Sequence, residues 1–147
     1  IKMENIEEVK KQPKIKLDFK DSKYATGRRK RSVAKVWVKK GSGNIHVNGL
    51  KMNEYFKRPV HQIIVTRPLE ISEVASNYDV KCSVKGGGLS GQAGAIILGI
   101  SKALISHDEN LKKNLKKDKL TTRDSRVVER KKYGHKKARR SFQFSKR

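Results

Sequence analysis

The C-terminal twenty-seven residues constrain this chain more than any other part of its sequence. Residues 121–147 contain eleven Lys or Arg against two acids, which gives the segment a net charge of +9. With too few apolar residues to cover a core, it is not expected to fold alone, and charge of this density favours an extended arm until a polyanion neutralises it. Three aromatic residues, Tyr133, Phe142 and Phe144, stand among the cations, where they can stack on bases. The sequence therefore predicts a tail that enters RNA.

The charge of the whole chain indicates the same class of partner. Its 147 residues include 37 Lys or Arg and 14 Asp or Glu, a net charge of +23 at pH 7. Charge of this size on a small protein is typical of a nucleic-acid binder. Hydrophobic residues make up 35%, which is enough for one small core if they are concentrated locally. No apolar run approaches the roughly 20 residues needed to span a bilayer, so no membrane partner is expected.

Composition divides the chain into three parts. Residues 1–23 are Lys-rich without sustained periodicity and are interpreted as an N-terminal extension. Residues 24–120 carry the patterns of strands and helices, and we expect them to form one globular domain of α/β (α+β) class, a compact sheet packed with helices. Residues 121–147 are the extended basic tail.

Three stretches are predicted to be strands. Lys23–Lys40 is strand-like, and the turn residues 41–44 lead into Ile45–Val47, which we expect to return beside it as a hairpin. Asn48-Gly49 is a second turn signal. Tyr78–Lys85 alternates apolar with polar residues, the pattern of a half-buried strand with Cys82 on its inward face.

Three stretches are predicted to be helical. Asn53–Thr66 suits a helix that is split by Pro59, and Pro68 is expected to mark its end. Residues 90–106 place their apolar side chains on one broad helical face. A shorter basic helix is expected over residues 107–120.

The glycine-rich segment Gly86–Gly94 (GGGLSGQAG) has three interpretations. A turn of this kind before a helix can hold a phosphate on free backbone N–H groups. It lacks the Lys-Ser/Thr ending of a Walker A loop, however, and its glycine spacing is not a dinucleotide fingerprint. We favour close packing of helix on sheet, then a contact with an RNA phosphate, and lastly a mononucleotide site.

No catalytic or metal-binding arrangement is recognisable in the sequence. The four histidines, His46, His61, His107 and His135, share no ligand spacing with each other or with Cys82. The few carboxylates mostly lie in basic stretches, where ion pairing is the expected role. We therefore predict no enzyme activity, no metal, no cofactor and no small-molecule substrate.

Several of these blocks together resemble the ribosomal small-subunit protein nine family of bacterial type. The similarity lies in Tyr24–Lys30 (YATGRRK), Gly41–Gly43, Val47–Gly49, Lys85–Ala95 and the whole tail with its closing FSKR. The resemblance implies a left-handed βαβ crossover in the domain. It also implies binding to the head of the small ribosomal subunit, through the 3′ major domain of its rRNA.

The resemblance also implies which residues contact RNA. The tip of the tail, Lys146 and Arg147 with Ser145 and Gln143 close behind, would contact P-site tRNA. Contacts with rRNA are expected from the cations of the N-terminal motif and of the tail: Arg28, Arg29, Lys30, Arg31, Arg123, Arg126, Arg130, Lys131, Lys132, Lys136, Lys137, Arg139 and Arg140.

The expected partners are therefore small-subunit rRNA, P-site tRNA and neighbouring proteins of the subunit head. Residues 58–60, 125–128 and 138–140 resemble the alphaproteobacterial and mitochondrial branch. Together with the extension and the start at Ile1 rather than Met, this favours a ribosome of the mitochondrial matrix over one of the bacterial cytoplasm. Two alternatives stay open at this point: a nonspecific basic protein that binds nucleic acid outside the ribosome, and a nucleotide-binding enzyme that uses Gly86–Gly94.

Overall fold

A computed structural model describes residues 19–146 of the chain. Most of the predicted N-terminal extension and Arg147 lie outside the described residues. The described part contains five strands and four helices in this order: β1 (Lys23–Arg29), β2 (Ser32–Lys40), β3 (Ile45–Val47), β4 (Leu50–Lys51), α1 (Met52–Tyr55), α2 (Pro59–Ile71), β5 (Tyr78–Lys85), α3 (Leu89–His107) and α4 (Leu111–Lys117). The fold is a mixed α/β domain with one open sheet, as the sequence predicted.

The order of strands in the sheet is β1-β2-β5-β3-β4. The strand-like stretch Lys23–Lys40 is a hairpin of two strands, in which Arg29 faces Ser32 across the turn residues Lys30 and Arg31. The predicted hairpin between β2 and β3 is wrong, because β5 lies between these strands. Strand β5 pairs with β2 over eight positions, whereas β3 is only three residues long, so β5 offers β2 many more backbone hydrogen bonds.

The turn at residues 41–44 carries the chain past β5 instead of reversing it onto β2. The Asp79 carboxylate on β5 accepts hydrogen bonds from the backbone N–H groups of Ser42 and Asn44, at 3.0 and 2.8 Å. Burial opposes ionisation of Asp79, but these hydrogen bonds outweigh it and hold its pKa below the usual value. The turn is therefore fastened to β5.

Strands β3 and β5 are parallel neighbours, and β4, α1 and α2 make the crossover between them. The predicted turn at Asn48-Gly49 is confirmed: both residues have positive φ, 52° and 85°, and they join β3 to β4. The crossover of the expected type is thus present, and its left-handedness stays a prediction from the family resemblance.

The helix predicted over Asn53–Thr66 is divided as expected, with Pro59 in the first turn of α2. Its predicted end is wrong, because Pro68 lies inside α2, which continues to Ile71. Pro68 cannot donate a backbone hydrogen bond, but it is buried with Val65 and Leu69, and this burial offsets the loss.

Helix α3 covers one face of the sheet and supplies most of the helical core. By length and composition it could cross a membrane, since an 18-residue stretch has a mean hydropathy of 1.3. This differs from the expectation that no segment is long enough. Because 61% of that stretch is buried within the protein, α3 is a core helix.

The remaining predictions of secondary structure differ from the structure mainly in length. Strand β5 matches its predicted bounds, and Cys82 on its inward face is 1% exposed. The final helix is shorter than predicted: α3 ends at His107, with Asp108 as its C-cap, and α4 spans only Leu111–Lys117. Leu115 is buried and holds α4 on the core.

Candidate nucleic-acid interface

The tip of the β1–β2 hairpin presents three exposed cations. Lys30 and Arg31 form its two-residue turn, and Lys30 adopts a positive φ of 51°. Arg28, three positions from Arg31, is exposed as well. Because the turn is tight and closed by the Arg29–Ser32 pair, these side chains project from a rigid base. They are suited to phosphate contact.

Arg29 differs from its neighbours because its side chain lies against the protein. It is half-buried beside Gly94 of α3, where a Cβ atom would come 2.8 Å from the Arg29 Nη1. Its Nη2 lies 3.3 Å from a carboxylate oxygen of Asp124. Among the described residues, its buried Nε has no hydrogen-bond partner. Arg29 therefore contacts the root of the tail, which is the segment around Asp124 and Arg126. An rRNA contact by Arg29 stays a prediction.

Asp124 fastens the root of the tail to the domain. Besides Arg29, its carboxylate binds the backbone N–H of Arg126 at 3.0 Å and the Arg126 guanidinium at 2.8 to 3.2 Å. The hydrogen bonds from the Arg126 side chain, and then from its backbone, hold the pKa of Asp124 well below its usual range. The carboxylate is therefore ionised under all physiological conditions and fixes where the tail leaves the domain.

Beyond its root, the tail has no helix or strand among the described residues, apart from one bridge between His135 and Ser141. Glu129 accepts hydrogen bonds from Lys132 and Arg139, each at 2.9 Å, and these lower its pKa. A backbone bond from Lys136 N–H to the Arg140 carbonyl closes a local loop. The predicted role of tail carboxylates in ion pairing is confirmed. Asp124 and Glu129 thus hold the arm in its observed conformation through their hydrogen bonds and ion pairs.

Most of the tail's cationic and aromatic side chains are exposed. Tyr133 and Phe144 are almost fully exposed, and Phe142 lies 5.4 Å from the Lys136 ammonium in a cation–π contact. The cations predicted to contact rRNA are exposed along the tail, except for the half-buried Lys132. At the tip, Gln143, Ser145 and Lys146 are exposed, whereas Arg147 lies outside the described residues. Such an arrangement can bind phosphates and stack on bases at many points.

The glycine-rich segment packs the start of α3 onto the hairpin, as favoured from sequence. A Cβ atom at Gly91 would come 2.8 Å from the Ser32 hydroxyl, and Gly27 in β1 is closed in by the backbone of α3. Gly86 and Gly87 have positive φ, 74° and 62°, which allows the sharp turn between β5 and α3. Gly88, in contrast, has open space around it. One side of this segment is packed and the other is free.

The free side borders a groove of about 1050 Å³ that four segments of the chain build together. Its lining residues are Lys30, Arg31, Arg58, His61, Gly87, Gly88, Leu89, Ser90, Gly91, Val127, Val128, Glu129, Arg130 and Lys131. We call it the cationic groove, since five of these residues are Lys or Arg. Arg58, Val127 and Val128 were not among the predicted site residues, and Leu89 was included only as part of the glycine-rich segment Gly86–Gly94. No local motif could have identified the first three, because they meet the rest of the groove only in the folded chain.

His, Cys, Asp and Glu side chains are the groups that would hold a metal ion in the part of the chain that the structure describes. It contains no group of three or more His, Cys, Asp or Glu side chains placed to hold a metal ion. Cys82 is buried in the core, and desolvation raises the pKa of its thiol, which keeps it protonated and unreactive. His61 is 7% exposed and bonds to the Ser90 hydroxyl at 3.0 Å.

The decisive comparison is with a family of ribosomal proteins. Residues 27–147 match the model of a family described as Ribosomal protein S9/S16. The chain belongs to this family. The matched region of this S9/S16 protein includes the hairpin tip, the glycine-rich segment, the cationic groove and the tail.

Family membership identifies the chain as a structural protein of the small ribosomal subunit that takes part in translation. It is an RNA-binding protein of the ribosome, and its family is not an enzyme family. The exposed cations of the hairpin and tail of this S9/S16 protein are thus features of a ribosomal protein. The alphaproteobacterial or mitochondrial branch stays a prediction.

Proposed function

We propose that this S9/S16 protein binds small-subunit rRNA through one continuous cationic surface. The surface consists of the hairpin tip, the cationic groove and the tail. The observation that carries the proposal is the groove itself, because it brings Lys30 and Arg31 together with Arg130 and Lys131, about a hundred residues later in the chain. Neutralising phosphates with such cations releases condensed counterions and thereby favours binding.

We further propose that residues 24–120 act as the folded platform and residues 121–147 as an arm that penetrates the 3′ major domain of the rRNA. The platform supplies the half-buried Arg29 that holds Asp124, so the arm leaves the domain from a fixed point. The arm beyond it is ordered mainly by its own ion pairs at Glu129. RNA binding would then exchange these exposed contacts for phosphates, at the cost of ordering the arm.

The tip of the arm is proposed to contact P-site tRNA through Lys146 and Arg147, with Ser145 and Gln143 beside them. The family resemblance supports this role, and so does the exposure of Gln143, Ser145 and Lys146. A cation that binds tRNA phosphate holds the molecule without reading its sequence. This suits a site through which every tRNA must pass.

The test is reconstitution of small subunits with the full chain or with a chain that lacks residues 145–147. We expect both to sediment with the subunit at high salt, and the truncated chain to weaken retention of P-site tRNA. A substitution set in the hairpin, Arg28→Gln with Lys30→Gln and Arg31→Gln, should instead weaken incorporation. Undiminished tRNA retention by truncated particles would refute the role of the tip. Sedimentation of the full chain as a free protein would refute the rRNA contact.

We also infer a mitochondrial ribosome as the site of action, on the branch resemblance of residues 58–60, 125–128 and 138–140. Fractionation of cells of the source organism tests this inference. Recovery in mitochondrial small subunits supports it, whereas recovery in bacterial cytoplasmic ribosomes refutes it.

A further inference from the structure

The cationic groove has an apolar wall that phosphate binding does not require. Leu89, Val127 and Val128 line it, with 45%, 58% and 84% of their surface exposed. A phosphate gains nothing from these side chains, because it needs hydrogen-bond donors and positive charge. Covering exposed apolar surface with a ligand, in contrast, is favourable. The groove therefore suits a ligand that has both an apolar face and negative charge.

The charge of the groove is strongly one-sided. Five cations line it, and Glu129 is the only acid among the described lining residues. Glu129 is already paired with Lys132 and Arg139, so it does not neutralise the five. They come from the hairpin, the start of α2 and the tail, so positive charge from three segments lines the same groove as the apolar wall. This one-sided charge favours an anionic ligand.

The start of α3 adds hydrogen-bond donors at the same place. No side chain caps this helix at Gly88, and Leu89 and Ser90 at its start are exposed, so uncapped backbone N–H groups lie at the groove. Ser90 is held by the Nε2 of the buried His61. His61 Nδ1 is buried and has no hydrogen-bond partner among the described residues. A polar group thus lies under the groove with its bonding capacity unused.

We propose that the cationic groove binds one unstacked nucleotide of RNA. Its base lies against Leu89, Val127 and Val128, and its flanking phosphates contact the cationic rim and the start of α3. The volume of about 1050 Å³ lies just above the usual range for small-molecule sites, so it accommodates a nucleotide with its neighbouring phosphates. A duplex cannot supply this ligand, since its bases are stacked and paired. This inference rests on the proposed rRNA binding and adds that the groove recognises an unstacked, unpaired nucleotide.

The test uses the full chain and two RNAs of the same sequence, one single-stranded and one paired with its complement, at equal salt. The variant Val127→Ser with Val128→Ser removes most of the apolar wall without changing charge, and both residues are exposed, so the fold is preserved. Ile63→Ser is the matched control, because Ile63 is 62% exposed on α2 and does not line the groove. We expect the double variant to bind single-stranded RNA about fivefold or more weakly, in keeping with the loss of a base contact. Its affinity for the duplex should be unchanged.

A second measurement locates the base. With 2-aminopurine placed along the single strand, one position should change in fluorescence on binding the original chain but not the double variant. Equal affinity of the double variant and the original chain for single-stranded RNA overturns the proposal, as does an equal loss on both RNAs. The variant Arg130→Gln with Lys131→Gln should bind both the single-stranded and the duplex RNA more weakly. It therefore reports on phosphate binding alone. If that charge variant also binds normally, the proposed rRNA contact at the groove fails with it.

Discussion

Replacing Gly27 by Ala should destabilise this protein strongly, because β1 and α3 approach each other at that residue. A Cβ atom there would overlap the carbonyl oxygen of Ala95 and would lie 2.6 Å from the backbone nitrogen of Gly99. Ordinary contacts of carbon atoms begin at about 3.5 Å, so α3 would have to retreat by roughly 1 to 2 Å. Both obstructing groups are helix backbone and cannot turn aside as a side chain can.

The magnitude follows from that displacement. Overpacking usually costs about 1 to 3 kcal/mol, and we expect the upper end here because a whole core helix must move. A cost of about 3 kcal/mol corresponds to a loss of roughly 12 to 24 °C in Tm for a domain of this size. Total stabilities are only about 5 to 15 kcal/mol, so the variant would retain a reduced margin.

Thermal unfolding followed by circular dichroism measures this effect. Gly88→Ala is the matched control: nothing lies within 4 Å of a Cβ atom at Gly88, and its φ of −103° is accessible to alanine. As an N-cap change it should cost less than about 1 kcal/mol. If Gly27→Ala melts at the same temperature as the original chain or as Gly88→Ala, the close approach of β1 and α3 at this residue does not limit stability.

Three further predictions follow from the core, the root of the tail and the arm. Cys82→Asp places a charge in the core at a cost of several kcal/mol, so this variant should lose cooperative thermal unfolding. Ser83→Asp, on the other face of β5, is the control and should unfold cooperatively. A normal Tm for the Cys82 variant would contradict the inward orientation of Cys82 in β5. Asp124→Asn should speed tryptic cleavage at Arg123 and Arg126, with melting of the domain unchanged; unaltered cleavage would argue against fastening by Asp124. In the folded protein the pKa of Asp124 lies below its ordinary value of 3.8. The stabilisation of the tail by the Asp124 carboxylate is therefore complete above about pH 4 and is lost as the pH falls through the pKa of the folded state. Protease sensitivity of the tail, measured across that pH range, would detect the loss. Removal of residues 136–147 takes away Lys136, Lys137, Arg139 and Arg140 and should make the salt dependence of rRNA binding less steep, and an unchanged slope would mean that these cations contact no rRNA phosphate.

Local patterns in the sequence determined which residues face inward and which part of the chain is an exposed arm. Alternation along residues 78–85 defined the buried face of β5, including Cys82, because side chains of a strand point to opposite faces in turn. The apolar face of residues 90–106 predicted α3 for the equivalent reason in a helix. The charge of residues 121–147 predicted an exposed arm, since repulsion and the lack of apolar surface act without regard to the rest of the fold.

Only the tertiary structure decided which strands are neighbours and which distant residues share a site. Any strand can form the same backbone hydrogen bonds, so alternation could not reveal that β5 separates β2 from β3. The helix end expected at Pro68 was wrong, because burial of Pro68 in the assembled core outweighed the tendency of proline to end a helix. The pairing of Arg29 with Asp124 and the meeting of Lys30, Leu89 and Val128 in the cationic groove depend on chain segments far apart in sequence. Such contacts form only after β1, α3 and the root of the tail have packed together, so no local sequence motif predicts them.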